Sequence, residues 1–166
     1  MGIAARVPLE EYLNTSYEPD CDYVDGVLED RNVGKRKHGE TQAAIAAFFF
    51  PLKKRLHIRV ATELRMRVAK ERIRIPDIAI FPDSEDAEVL SNPPLLCIEI
   101  LPPDDRFGRL QKCIADYLTF GVPEIWIIDP YEREAFVVTE ECQSAQQVTE
   151  LRWKGITLRL SEVLPD

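Results

Sequence analysis

The sequence predicts an α/β protein in which a mixed sheet is flanked by helices and extended by additional antiparallel strands. Residues 57–69 alternate between apolar and polar side chains, which is typical of a half-buried strand. Residues 95–101, LLCIEIL, are apolar on both faces, as in a strand that is covered on both sides. A helical pattern and a second apolar strand, EIWIID, follow. A strand, a helix and a strand in succession imply a right-handed crossover and a parallel pair.

The N-terminal part of the chain predicts two helices around a hairpin. A short helix is expected at residues 8–14, and DYVDGVLED has Asp25-Gly26 between apolar residues, the strongest short hairpin signal. Apolar side chains then recur at helical spacing over residues 37–56. Pro51 should kink or weaken that helix, because proline lacks the amide hydrogen that a helix interior needs.

A tight turn is expected to join the strand at 57–69 to an antiparallel strand at 72–81. The register that keeps all apolar side chains on one face places Arg67 opposite Arg74. Such a like-charge pair is unfavourable unless an anion lies across it. Glu63 or a nucleic-acid backbone could supply that negative charge.

The rest of the chain predicts a polar loop and a strand-rich end. Proline-bounded residues 82–94 form the loop, and a helix from about residue 106 to 120 stops at Gly121. Short strands are expected in AFVVTE, QVTELRW and ITLRL, before a final turn in SEVL. At 166 residues the chain is long enough for one domain with its own core, so residues 1–166 are predicted to be a single domain.

Composition narrows the class of protein. Hydrophobic residues make up 45% and charged residues 30%, as in an ordinary globular protein. The four cysteines form no CxxC pair, so reduced thiols and a cytoplasmic location are expected. Neither a leader nor an apolar run of about 20 residues occurs, so no membrane partner is expected.

Charge is distributed unevenly along the chain. The net charge is −8, yet residues 31–74 contain 13 Lys and Arg against three acids. This asymmetry is compatible with a face that meets the phosphates of a nucleic acid on an otherwise acidic molecule. A solvated charged face is the alternative.

Two carboxylates occupy inward positions of predicted strands. Asp77 shares a face with Ile75 and Ala79, and Glu99 shares one with Cys97 and Leu101. A buried ionised carboxylate costs several kcal/mol unless a cation or hydrogen-bond donors compensate it. Two of them on neighbouring strands indicate a divalent metal with oxygen ligands.

His38 and Glu40 lie in the first turn of the second helix. They project from different sides of that helix, so only one is expected to face a shared site. His38 is either a hydrogen-bonded core histidine or a site residue.

Several segments together resemble the PD-(D/E)xK nuclease superfamily, with its restriction-endonuclease-like fold, and more closely the Uma2 family. The matching segments are the hairpin YVDGVLE, His38 opening the long helix, Ile75-Pro76-Asp77, residues 97–101, and Gly121 to Pro130 after a helix with Tyr117. The resemblance implies that Asp77 and Glu99 are catalytic residues that bind Mg²⁺ or Mn²⁺. It also implies hydrolysis of phosphodiester bonds in DNA, with His38 or Glu40 supporting the site.

The chain departs from this family where a lysine is usual. The superfamily lysine two residues after the glutamate is replaced by Leu101, and the Uma2 position on the next helix is Cys113. Lys112 is adjacent, turned by about 100°, and its long side chain could reach round. Arg106 and Arg109 are alternative cations. The family's Asp-Gly-Glu of the hairpin is also changed here, to Asp-Gly-Val.

Three hypotheses follow from these patterns. The chain is a metal-dependent endonuclease in which Asp77 and Glu99 bind metal and Lys112 supplies positive charge. Alternatively, it is an inactive nuclease-fold module that binds nucleic acid or protein through residues 31–74. In the third hypothesis both acids are structural and pair with arginine or backbone N–H groups. A homodimer is compatible with the apolar C-terminal strands.

Overall fold

The computed structural model describes residues 6–31, 34–103 and 108–166. Its strands are β1 (Cys21–Val24), β2 (Val27–Asp30), β3 (Ile58–Thr62), β4 (Met66–Ala69), β5 (Arg72–Arg74), β6 (Ile78–Pro82), β7 (Leu96–Ile100), β8 (Glu124–Asp129), β9 (Glu134–Thr139), β10 (Gln146–Val148), β11 (Glu150–Trp153) and β12 (Ile156–Arg159). Its helices are α1 (Leu9–Leu13), α2 (Arg36–Phe49), α3 (Lys53–Leu56), α4 (Gly108–Phe120) and α5 (Leu160–Val163), and a 3-10 turn, Phe50–Leu52, joins α2 to α3.

The central sheet has six strands in the order β10-β9-β8-β7-β6-β3. Within it β7 and β8 are parallel, and the other neighbouring pairs are antiparallel. Helix α4 lies between β7 and β8 in the chain, as the predicted crossover requires. The mixed sheet, with further antiparallel sheets beside it, confirms the predicted fold class.

Helices cover the central sheet on both faces. Ile45 and Phe49 of α2 pack in one core cluster with Ile98 and other side chains from one face of the sheet. Cys113 and Tyr117 of α4 pack in a second cluster that contains residues from the opposite face, including Cys97 and Leu101. Every residue of β7 is buried, because alternate side chains of this strand enter the two clusters in turn.

A second sheet has the order β2-β1-β5-β4. Its β1–β2 hairpin turns at Asp25 and Gly26, which have φ angles of 50° and 91°. Positive φ at both central residues is the geometry of the tight hairpin turns that Asp-Gly favours. The hairpin predicted from the sequence is confirmed.

The expected strand at residues 72–81 is interrupted, which corrects the sequence prediction. It divides at residues 75–77 into β5, in the four-stranded sheet, and β6, in the central sheet. Pro76 lies in the break and has no amide hydrogen for a strand ladder. The partner strand divides as well, between β3 and β4, where Glu63 has a φ of 53°. The two-stranded ribbon therefore bends from one sheet into the other, and Asp77 lies at the bend.

The expected register of β4 and β5 was wrong by one residue. Arg67 lies opposite Ile73, and Met66 lies opposite Arg74, with an irregularity between Arg67 and Ala69. This irregularity shifts the pairing next to the turn, so apolar alternation alone did not fix the register. Arg67 and Arg74 consequently form no like-charge pair that would need an anion.

Two smaller features complete the comparison with the sequence. Pro51 lies in the 3-10 turn that interrupts the long helix, as predicted. The segment QVTELRW contributes β10 to the central sheet and β11 to a separate two-stranded sheet with β12. In the described ranges, no helix is both long and apolar enough to cross a lipid bilayer.

Candidate active site

The bend between β5 and β6 fixes the backbone of Asp77 from two sides. Its carbonyl oxygen accepts hydrogen bonds from the Glu63 amide at 3.2 Å and from Gln42 Nε2 of α2 at 2.9 Å. Its side chain is only 7% exposed. The chain leaves the strand conformation at Asp77. The direction of its carboxylate is therefore set by contacts with other parts of the fold and not by the alternation of side chains along a strand.

The Asp77 carboxylate joins three elements of the fold. Oδ2 accepts the backbone N–H of Ile100 at 2.7 Å and a hydrogen bond from His38 Nε2 at 3.2 Å, while Oδ1 accepts Arg31 Nη2 at 3.1 Å. Pairing between β6 and β7 ends at Ile78 opposite Ile98. Beyond that point the Asp77 side chain is bonded to β7 one residue after Glu99.

Glu99 is buried in the centre of the site. Its Oε1 accepts the Tyr117 hydroxyl hydrogen at 2.5 Å. Burial, followed by the charge of Asp77, raises the pKa of Glu99 to about 7, although Arg109, Tyr117 and Arg31 oppose this rise. Burial and the charge of Asp77 both disfavour the ionised form of Glu99, so Glu99 is partly protonated near neutral pH.

His38 is the residue of α2 that reaches these carboxylates. Burial lowers the pKa of His38, but the hydrogen bond and charge of Asp77, together with the charge of Glu99, raise it above 6.5 overall. Gly34 allows the ring to fit, since a Cβ atom at that position would lie 2.7 Å from His38 Nδ1. His38 is therefore a hydrogen-bonded partner of Asp77 with an increased tendency to carry a proton.

Glu40, the other predicted supporting residue, is exposed on a different side of α2. Its Oε2 lies 2.9 Å from Arg36 Nη1, in an ion pair one helical turn apart. Of these two candidates, the structure brings His38 to the carboxylates and leaves Glu40 at the surface.

One face of α4 is turned toward the carboxylates. Arg109, Cys113 and Tyr117 are spaced four residues apart and share this face. Arg109 Nη2 lies 2.7 Å from Asp22 Oδ2, and the charge of Arg109 also acts on Glu99. The positive charge on this face therefore comes from Arg109, one turn before Cys113.

Lys112, the lysine predicted to be catalytic, is exposed. It lies next to Cys113 in the chain but about 100° away around the helix, and it makes no ion pair or hydrogen bond with the residues that the structure describes. Leu101, at the other usual lysine position, is buried in the core. Arg106 lies outside the described residues. The catalytic role of Lys112 stays a prediction.

A buried ion network beside the site was missed by sequence reasoning. Arg74 is 1% exposed, and its guanidinium lies within 2.9 Å of Asp22, Glu29 and Asp116. Asp22 is fully buried and pairs with both Arg74 and Arg109. The position of Asp22 between apolar residues of β1 was the only signal in the sequence. Its partners lie 52 and 87 residues away along the chain.

The basic segment at residues 31–74 is partly internal. Among the described residues, five of its arginines are in ion pairs with acids, most of which lie outside the segment. The pairs are Arg31 with Asp77 and Glu63, Arg36 with Glu40, Arg65 with Asp20, Arg72 with Asp25 and Asp116, and Arg74 with the three acids named above. Its exposed basic residues are Lys35, Arg36, Lys54, Arg55, Arg59 and Lys70. The local charge excess thus overstates the positive surface.

Comparison with known proteins places this chain in a family. A family model, Uma2, described as "Putative restriction endonuclease", matches residues 9–166. The chain belongs to the Uma2 family. A crystal structure of an Anabaena variabilis protein, described as a "putative nuclease belonging to DUF820", has a TM-score of 0.80 and 23% identity, covering 95% of this chain and 97% of that chain. This second likeness concerns the fold. No curated protein matches the sequence.

The carboxylates of this Uma2 protein offer oxygen ligands of the kind that a divalent cation needs. Mg²⁺ and Mn²⁺ are often held by one or two protein carboxylates, with water and substrate oxygens completing the shell. Across residues 6–31, 34–103 and 108–166, no three His, Cys, Asp or Glu side chains form a metal-binding group. Asp77 and Glu99 nevertheless supply two adjacent carboxylates, and Tyr117 is the one hydrogen-bond donor to Glu99 among the described residues. Asp77 and Glu99 fit a divalent cation only if Arg31 moves away from Asp77 Oδ1, with which it pairs in this structure.

Proposed function

We propose that this Uma2 protein is a divalent-cation-dependent endonuclease that hydrolyses phosphodiester bonds in DNA. The proposal rests chiefly on the juxtaposition of Asp77 and Glu99, two buried carboxylates. Burial, and after it the charge of Asp77, raises the pKa of Glu99 to about 7. Such a pair costs stability unless a cation compensates it. The description of the family agrees with a nuclease-like function.

Asp77 and Glu99 are the residues that would hold Mg²⁺ or Mn²⁺. When bound, such a cation polarises a phosphate oxygen and lowers the pKa of a water molecule. His38 restrains Asp77 through Nε2, and Tyr117 restrains Glu99 through its hydroxyl. The two carboxylates are therefore positioned before a substrate arrives, which lowers the cost of ordering them.

Positive charge for the transition state would come from α4. Arg109 is the first candidate, because its side chain is 23% exposed and its charge lowers the pKa of Glu99 against the larger effect of burial. Lys112 is the second, and it would have to extend around the helix from its exposed position. Either cation would stabilise the negative charge that develops on the phosphate oxygens.

The DNA backbone would meet the exposed basic residues of the segment at 31–74. Salt-sensitive binding is expected, since each phosphate contact by Lys or Arg releases counterions. A homodimer would present two such sites, an arrangement suited to cutting both strands of a duplex.

A second candidate function is a nuclease-fold module that binds nucleic acid or protein without turnover. The ion pair between Arg31 and Asp77 favours it, because a guanidinium already compensates one of the two carboxylates. The absence of lysine at positions 101 and 113 favours it as well. In this case metal binding would be weak and cleavage absent.

Metal-dependent stabilisation and cleavage distinguish the two functions. Thermal unfolding is measured with EDTA, Mg²⁺ and Mn²⁺, and supercoiled plasmid and single-stranded DNA are incubated with Mn²⁺. The endonuclease proposal expects a Mn²⁺-dependent rise in Tm and nicking, both lost in Asp77→Asn and Glu99→Gln. These substitutions keep the side-chain shape while removing the charge.

The matched control is Glu88→Gln, which changes an exposed loop carboxylate and should behave like the wild type. Equal trace nicking by the wild type, Asp77→Asn and Glu99→Gln would reject the enzyme. Absence of cleavage by any protein, with little or no Mn²⁺-dependent rise in Tm, would support the inactive module.

A further inference from the structure

Arg31 is a largely buried arginine between β2 and α2 that the sequence did not single out as a site residue. Its side chain is 10% exposed. Nη2 lies 3.1 Å from Asp77 Oδ1, and Nη1 lies 3.7 Å from Glu63 Oε2. Its Nε is buried and has no hydrogen-bond acceptor among the described residues. The guanidinium is thus held between Asp77 and Glu63, and its Nε donor is unused among the described residues.

The position of Arg31 conflicts with a cation on Asp77. Oδ2 of Asp77 already accepts the Ile100 amide and His38 Nε2, which leaves Oδ1 as the oxygen for a new partner. A guanidinium and a dication at the same oxygen would repel each other. A cation that binds there therefore has to displace Arg31 from Oδ1.

The displaced guanidinium would stay close to the site. Glu63 lies on its other side, and the Glu63 side chain is 52% exposed, so this second ion pair is open to solvent. A guanidinium has a planar fork of donors that matches two phosphate oxygens. A phosphodiester oxygen bound near the cation would offer the acceptor that Arg31 then lacks.

We propose that Arg31 exchanges partners: it pairs with Asp77 when no cation is bound, and it binds a phosphate of the DNA substrate when a cation occupies the carboxylates. This inference rests on the proposed endonuclease function. It assigns Arg31 two opposite effects, since the same side chain competes with the cation and attracts the substrate.

Opposite changes in two affinities test this proposal. Mn²⁺ affinity is measured by calorimetry without DNA, and affinity for a fluorescent DNA duplex is measured by anisotropy in Ca²⁺, with gels to check that the duplex stays intact. Arg31→Ala is expected to bind Mn²⁺ about tenfold more tightly and DNA about tenfold more weakly. Arg31→Lys, which retains the charge but not the fork, should keep the Mn²⁺ affinity and lose part of the DNA affinity.

Arg152→Ala is the matched control, because Arg152 is an exposed arginine paired with Glu150 on β11. It should leave both affinities unchanged. A purely structural role for Arg31 would weaken both affinities in Arg31→Ala, and this result overturns the proposal. Unchanged DNA affinity in both Arg31 variants overturns it too. If Arg31→Ala does not fold, Arg31→Lys tests the proposal alone. An unchanged Mn²⁺ affinity with a reduced DNA affinity supports the proposal, and any other result overturns it.

Failure of the endonuclease proposal gives a different pattern. If the wild type binds no Mn²⁺ at all, its metal dependence fails regardless of Arg31. Gain of Mn²⁺ binding in Arg31→Ala would then still support Arg31 as the competitor of the cation. No gain would overturn the exchange as well.

Discussion

The hydroxyl of Tyr117 donates a 2.5 Å hydrogen bond to Glu99 Oε1 in the buried centre of the molecule. This contact ties α4 to β7 across the core. It also lowers the pKa of Glu99 against the larger effect of burial, because a donor stabilises the ionised carboxylate. Tyr117 is therefore both a packing residue and a regulator of the charge at the site.

Tyr117→Phe should expose the importance of this contact. Removing the hydroxyl leaves a buried carboxylate oxygen without its donor, so the free energy of unfolding should fall by about 1–3 kcal/mol. The pKa of Glu99 should rise, and the acidic limb of any pH–rate profile should move to higher pH. Urea unfolding at pH 8 measures the first effect. Tyr131→Phe is the control, since the buried Tyr131 hydroxyl has no partner among the described residues.

Stability should decrease as pH rises through the range in which Glu99 ionises. The folded pKa is about 7 and the ordinary value is 4.5, so the folded state binds more protons between these values. The free energy of unfolding should therefore fall by roughly 3 kcal/mol from pH 4.5 to pH 7. The raised pKa of His38 acts in the same direction, because its contribution is complete below pH 6.5 and is lost above its folded pKa.

Glu99→Gln should remove most of this decline, since glutamine does not titrate. Urea unfolding at four pH values between 5 and 8, without divalent cations, measures the slope. Glu88→Gln should retain the slope of the wild type. A decline that persists in Glu99→Gln would assign the pH dependence to other groups.

Arg74→Ala should be among the most destabilising substitutions. It leaves Asp22, Glu29 and Asp116 without their shared cation, and removal of one partner from a buried ion pair costs about 3–5 kcal/mol. Arg74→Met should be destabilising too, because methionine restores volume but not charge. Denaturant unfolding compares both with Arg152→Ala, for which less than about 0.5 kcal/mol is expected. A loss below 1 kcal/mol in Arg74→Ala would mean that the network contributes little.

Arg109 and Lys112 can be ranked by their effect on cleavage. We expect Arg109→Ala to lower kcat about 100-fold, the effect of losing one charged group at the transition state. Lys112→Ala should stay within about threefold of the wild type, because Lys112 is exposed and unpaired with any described residue. Single-turnover plasmid cleavage with Mn²⁺ measures both. Arg109→Lys, which keeps the charge beside Asp22, separates a catalytic loss from a folding defect. A larger loss in Lys112→Ala than in Arg109→Ala would restore the original assignment.

Local patterns of the sequence were sufficient for the elements with a clear period or turn signal. The Asp25-Gly26 hairpin, the buried strand with Glu99, the crossover through α4 and the interruption at Pro51 were all predicted. Each depends on residues within one segment, where side-chain periodicity and backbone restrictions act directly. The resemblance to the Uma2 family came from the same segments, and the family model confirmed it.

The sequence by itself identified Asp77 and Glu99 as inward acids, together with most of the strands and helices around them, but it missed the buried Asp22. Only the tertiary structure showed the bend that orients Asp77 and the pairing of Asp77 with Arg31 and His38. It also showed that Arg74 is buried among acids. The physical reason is the distance along the chain over which the interacting residues are separated. Periodicity reports which side of an element a residue faces, whereas the compensation of a buried charge depends on partners such as Asp22 and Arg109, 87 residues apart in the chain.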